Sequence, residues 1–209
     1  MILTTLTIGA TWLLGGVSFA PPSLSVAGIA FYGLAWALSF VLIGVVEELL
    51  FRGYALSTLA SAIGFWPAAV VLGAGFGALH LFNPNENLVG ALNVVTYSLF
   101  ASLTLQRTGS LWFAIGVHAG WDYALTFLYG VPVSGMHAEQ RLLEADLHGP
   151  TWLTGGAVGP EGSALGLVAL AFAVVVFARR VPAKSSSVIR SGQLAAPPAP
   201  SSIPRSSPW

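Results

Sequence analysis

Cysteine is absent from this 209-residue chain. That excludes disulfides, a thiolate nucleophile and any Cys-ligated metal. Charge is almost absent too. Only 8% of residues are charged, against about 25% in soluble domains. With 55% of residues hydrophobic, the deficit places the chain in the membrane class. The formal net charge is zero, so the basic footprint of nucleic-acid binding is lacking and no nucleic-acid partner is expected. There is no HExxH motif, which excludes the zincin arrangement. There is no GxSxG nucleophile elbow either. Nor is there an internal repeat or a pair of broken helices, which counts against an ion-coupled carrier.

What is present is long apolar sequence. Six hydrophobic segments stand out, at 2–19, 26–62, 66–82, 88–105, 110–130 and 163–178. A span needs about 20 apolar residues. The fold class expected is therefore all-α, a polytopic transmembrane bundle. Met1 to Ala20 lacks a positive n-region and is read as a retained helix, not a cleaved signal. Pro21 and Pro22 break the first segment from the second. The second is too long for one perpendicular span and must tilt, kink or project. Gly64 to Pro67, Asn83 to Asn87 and Arg107 to Ser110 mark turns. Residues 131–162 form a longer loop, expected to be irregular, with acids at Glu139, Glu144, Asp146 and Glu161. Past Pro182 the chain is rich in Ser, Pro and Ala, and 182–209 is read as a disordered tail. Arg179, Arg180, Lys184, Arg190 and Arg205 place that tail in the cytoplasm by the positive-inside rule, with 131–162 on the other side.

Charges inside apolar segments are costly and usually serve function. No charged side chain precedes Glu47 and Glu48 in the sequence. Glu48 and Arg52 stand four apart on one helix face, acid first, the favourable order for an ion pair. Glu47 lies about 100° around the helix and has no partner in its own segment. His80 supplies one. If 26–62 and 66–82 form a hairpin turning at Gly64, Glu47 lies 17 residues before the turn and His80 16 after it. The two then share one depth. Gly73, Gly75 and Gly77 allow the close helix approach this needs. His118 and Asp122 form another pair four apart, with Gly116 and Gly120 flanking the histidine. Three segments offering inward polar groups predict a lined intramembrane cavity.

EELLFRG (Glu47 to Gly53), FGALH (Phe76 to His80) and HAGWD (His118 to Asp122) match EExxxR, FxxxH and HxxxN/D in order. This set resembles the CPBP intramembrane proteases, the Rce1-like type II CAAX prenyl endopeptidases, also called the Abi family. The resemblance implies a helical bundle around a cavity and an endopeptidase of membrane-associated or lipidated peptides. It implies a protease core over 40–130, after membrane segments at 1–39 and before a last membrane helix at 163–181. It implies that Glu47 and His80 activate water, that His118 and residue 122 stabilise the oxyanion, and that Glu48, Arg52 and Phe76 support them. Asp122 departs from the usual Asn. An ionised Asp cannot donate a hydrogen bond, so Asp122 is a neutral donor, an acceptor orienting His118, or part of a metal site. No cofactor is assigned. Zn²⁺ would take Glu47, His80 and His118, and the metalloprotease and metal-free glutamate-dependent readings both stand, the latter preferred. The bilayer and a peptide or lipidated substrate are the partners implied. The setting implied is the plasma membrane of a prokaryote. An ion-coupled transporter and an immunity or scaffold protein are the competing functions.

Overall fold

The computed structural model describes residues 1–182, so most of the stretch read as a disordered tail lies outside the described residues. The structure is mostly helical. The helices are α1 (Ile2–Leu13), α2 (Val26–Glu48), α3 (Leu56–Ile63), α4 (Phe65–His80), α5 (Leu88–Thr108), α6 (Trp112–Tyr123), α7 (Thr151–Thr154) and α8 (Ala164–Arg180). π-helical turns occupy Leu49–Ala55, which joins α2 to α3, and Ala124–Leu128, which extends α6.

The breaks have local causes. After Pro21 and Pro22, Ser25 caps α2 by accepting from the Gly28 amide at 3.2 Å. Gly64 takes φ 86° between α3 and α4, a conformation glycine adopts freely. Asn87 caps α5 by accepting from the amides of Val89 and Gly90. Ser163 caps α8 by accepting from the Gly166 amide at 2.9 Å.

The helices carry their polar residues inward. On α1, Thr4, Thr7 and Thr11 are buried while Ile2, Leu6, Trp12 and Leu13 are exposed. Thr7 and Thr11 return their hydroxyls to carbonyls one turn back. On α5, Asn93, Ser98, Ser102 and Thr104 are buried. A protein folded in water places such residues the other way round. Small and polar residues at helix contacts, with apolar ones facing out, suit a lipid solvent.

Among the described residues, two helical stretches are long and apolar enough to cross a membrane, Val26–Ile63 and Leu88–Thr108. Only 17% of the most apolar window of Val26–Ile63 is buried, which leaves a belt of Phe31, Leu34, Leu38 and Leu42 exposed. The structure departs from the expected segments in two places. Segment 2–19 divides into α1 and a strand β1 (Val17–Ala20), which pairs antiparallel with β2 (Glu144–Leu147). The loop 131–162 is thus ordered by a sheet that pairs its end with the N-terminal region. Periodicity within either segment could not reveal this, because the pairing is long-range. α2 packs on α6, α4 on α3 and α5, and α8 on α5.

Candidate active site

Helical geometry turns the adjacent carboxylates of α2 different ways. Glu48 is fully buried, while the Glu47 side chain remains 34% exposed and lines a cavity of about 500 Å³. His80, His118 and Asp122 line the same cavity, as does Phe76.

Glu48 is a hub. Its Oε1 accepts from Arg52 Nη1 at 3.2 Å, the Tyr97 hydroxyl at 3.0 Å and His118 Nδ1 at 3.0 Å. A carboxylate only accepts, so Nδ1 of His118 carries the proton. The guanidinium of Arg52 sits over Phe76, 4.7 Å from the ring centroid, with Phe51 and Tyr97 also near. Cation–π contact of this kind favours a charge removed from water. Both partners of the expected ion pair are buried, at 2% and 0% exposure.

The hub leaves His118 Nε2 facing the cavity, 3.8 Å from Glu47 and 3.6 Å from Asp122. His80 is oriented differently. Its Nδ1 lies 2.9 Å from the Phe76 carbonyl. A carbonyl only accepts, so Nδ1 donates and Nε2 keeps its lone pair. No direct hydrogen bond or ion pair joins Glu47 to His80. The hairpin register is nonetheless the one expected. Phe51 and Phe76, 13 residues before and 12 after Gly64, bring their ring centroids within 4.6 Å.

Close approach depends on particular glycines. A Cβ on Gly77 would lie 2.8 Å from the Ala91 carbonyl and 2.6 Å from Val95, so α4 meets α5 there. A Cβ on Gly44 would come 3.3 Å from the Ile115 carbonyl, where α2 meets α6. Gly75 and Gly116 face open space, and Gly120 meets only Met1. The flanking glycines of His118 therefore do not set its position.

Several cavity residues have no counterpart in the sequence motifs. Tyr97 and Asn93 come from α5, Trp121 from α6, and Ser134 and Glu161 from the 131–162 loop. Asn93 carried one usable signal, an amide inside an apolar span. Glu161 carried none beyond being a loop acid.

Zn²⁺ does not fit this arrangement well. Among the described residues, no group of three or more His, Asp or Glu side chains is placed to hold a metal. Glu47, His80 and His118 line one cavity without converging on a common point. The metalloprotease reading is without structural support for that geometric reason.

At the rim, Glu86 Oε1 accepts from the Asn87 amide at 2.9 Å, and its buried Oε2 has no partner among the described residues. Loss of water raises its pKa above 4.5; the Asn87 bond opposes the shift, nearby Glu161 adds to it, and His80 opposes it. The folded state therefore binds this proton more tightly than the unfolded chain. Its contribution to stability is full below pH 4.5 and is lost as pH rises through the raised value. Glu86→Gln is expected to raise the thermal midpoint at neutral pH and to leave it unchanged near about pH 4. Equal midpoints for variant and wild type at neutral pH would refute this.

Inward polar residues around a cavity lined by carboxylates and histidines define a mostly helical protein, with two helices long and apolar enough to cross a membrane among the described residues. Residues 29–124 match the family model described as type II CAAX prenyl endopeptidase, Rce1-like. This segment, which contains all three motifs, is similar to that family. No curated protein and no solved structure matches the chain. The family is one of membrane-embedded proteases.

Proposed function

We propose that the chain is an intramembrane endopeptidase that hydrolyses a peptide bond in a membrane-associated or lipidated substrate, either near a CAAX-like C-terminus or in a leader segment. The observation that carries this reading is the orientation of the two histidines. Each has Nδ1 tied to a fixed acceptor and Nε2 left for chemistry, with Glu47 on the same cavity wall.

In this mechanism a water is held between Glu47 and His80 Nε2. The Glu47 carboxylate takes a proton from the water as its oxygen bonds to the scissile carbonyl carbon. The oxyanion accepts a hydrogen bond from His118 Nε2, protonated for this role. The C–N bond then breaks, and Glu47 returns its proton to the leaving amine. A carboxylic acid and an amine are released, the acid then giving its proton to the amine or to water, and the side chains regain their starting protonation. Glu48, Arg52 and Tyr97 hold His118. The chemistry runs through side chains without a metal. The chain crosses the membrane about six times, with its C-terminus in the cytoplasm of a prokaryote.

The test is cleavage by the purified full chain in lipid nanodiscs. Two quenched-fluorescent peptides serve as probes, one ending in farnesylated Cys plus three residues and the other its unprenylated counterpart. Activity unaffected by chelator supports the reading. Activity lost to chelator and restored by Zn²⁺ overturns the metal-free mechanism.

Asp122 is assigned as the carboxylate that orients the His118 imidazolium by its charge, since its Oδ2 lies 3.6 Å from Nε2, beyond hydrogen-bond distance. Asp122→Asn removes the negative charge that faces the protonated His118 as the oxyanion forms. The expected loss is about 10–100-fold in kcat with KM unchanged. Full activity with a shifted alkaline limb of the pH–rate profile would make Asp122 a neutral oxyanion donor instead.

A further inference from the structure

Glu161 lies in the short turn Pro160–Gly162, outside the segment that matches the family model. Its carboxylate accepts three hydrogen bonds. Trp121 Nε1 donates to Oε1 at 2.8 Å, and the Ser134 amide and hydroxyl donate to Oε2 at 2.6 and 3.0 Å. Its main-chain carbonyl accepts from Asn93 Nδ2. One residue thus ties α5, α6 and the 133–136 turn together.

The points it holds are specific. Trp121 precedes Asp122 in sequence and lies one turn beyond His118 on α6. Ser134 is held at φ 46°, in the left-handed region, which a side chain other than glycine enters at a cost. The turn is closed by the Val133–Met136 bridge. It is fastened to the 83–87 loop by Asn85 Nδ2, which donates to the Gly135 carbonyl at 3.1 Å. Trp121, Ser134, Met136 and Glu161 all line the cavity that holds Glu47 and His80.

Both oxygens of Glu161 are engaged by donors fixed in the protein. That separates it from Glu47, whose carboxylate faces the cavity without a close hydrogen bond. A carboxylate so engaged is a clamp and not a base. An amide could not replace it, because its NH₂ would meet a donor at one of the two positions.

We propose that Glu161 is a positioning residue for substrate. Its carboxylate clamps the 133–136 turn onto α6 and so builds the wall that holds the peptide beside Glu47 and His80. This inference rests on the proteolytic reading. It adds a specificity element from the loop, which the family motifs do not contain.

The test uses the full chain in nanodiscs with the farnesylated peptide. Glu161→Gln is expected to raise KM about tenfold, the scale of a lost hydrogen bond to a charged group. kcat should stay within about twofold and the thermal midpoint should hold, as expected when only substrate binding is weakened. Amide exchange at 133–136 should accelerate about tenfold as the Ser134 amide loses its acceptor. Glu161→Asp, which keeps the charge, should recover part of the KM change. A fall in kcat with KM unmoved, unchanged exchange, or a parallel loss of midpoint and activity would each overturn the proposal. If wild type cleaves neither peptide, the proteolytic reading fails by itself. Exchange then decides the clamp, and binding of the farnesylated peptide to Glu47→Gln, with and without Glu161→Gln, decides the positioning.

Discussion

Glu47→Gln is expected to lower kcat/KM by about 10³-fold while the protein stays folded, because general-base catalysis typically contributes about 10²–10⁴-fold. The amide has nearly the carboxylate's shape but cannot take the proton from water. Folding should survive for a structural reason. Glu47 is partly exposed to the cavity, and its nearest charged contact is a 3.8 Å approach to His118. Nothing in the helix packing depends on its charge. His118, held from the other side by Glu48, should stay in place. Cleavage of the farnesylated peptide by Glu47→Gln, compared with wild type at equal thermal midpoint, is the measurement. Activity within tenfold of wild type would remove Glu47 from the role of base.

Glu48 is expected to give the opposite profile, with loss of the fold as well as the activity. Glu48→Leu strands the Arg52 guanidinium, which is only 2% exposed, and removes the acceptor of Tyr97 and His118. Breaking one side of a buried pair typically costs about 3–5 kcal/mol. Arg52→Met should cost a similar amount by stranding the carboxylate. Removing both should cost less than the sum of the two, since a buried pair replaced by apolar side chains is often near neutral. The pair also has incomplete bonding, because Glu48 Oε2 and Arg52 Nη2 lack partners among the described residues. The double variant should therefore recover thermal stability without recovering cleavage, because His118 has lost its anchor. A double variant no more stable than either single one would show that the pair contributes beyond charge neutralisation. Denaturant unfolding in a fixed lipid mixture reads all of these.

Much of the candidate site's local geometry was legible in the sequence. The pairing of Glu48 with Arg52 follows from four-residue spacing on one helix face, and both are buried as an intramembrane pair should be. His118 and Asp122 share a face for the same reason. The depth shared by Glu47 and His80 follows from counting away from Gly64, and the contact of Phe51 with Phe76 reports the same register. All of these depend on helix geometry and one turn, quantities that periodicity and a break in the pattern carry directly.

Other features required the folded chain. That Tyr97 and His118 meet Glu48 depends on how α5 and α6 are rotated and at what depth they pack against α2. Two apolar helices with little moment leave that rotation open in the sequence. The close approach at Gly44 sets α6 against α2, and that at Gly77 sets α5 against α4, whereas Gly75 and Gly116, equally plausible from spacing, face open space. The pairing of Val17–Ala20 with Glu144–Leu147 joins two distant segments that have no local reason to find each other. Glu161 reaches the cavity only because its loop folds back onto α5, from where it meets Trp121 of α6. Composition, helix breaks and four-residue spacing are properties of neighbouring residues, and these the sequence by itself determined. Which buried face meets which is a property of packing between helices, set by steric fit at a few contacts far apart in the chain, and this only the tertiary structure decided.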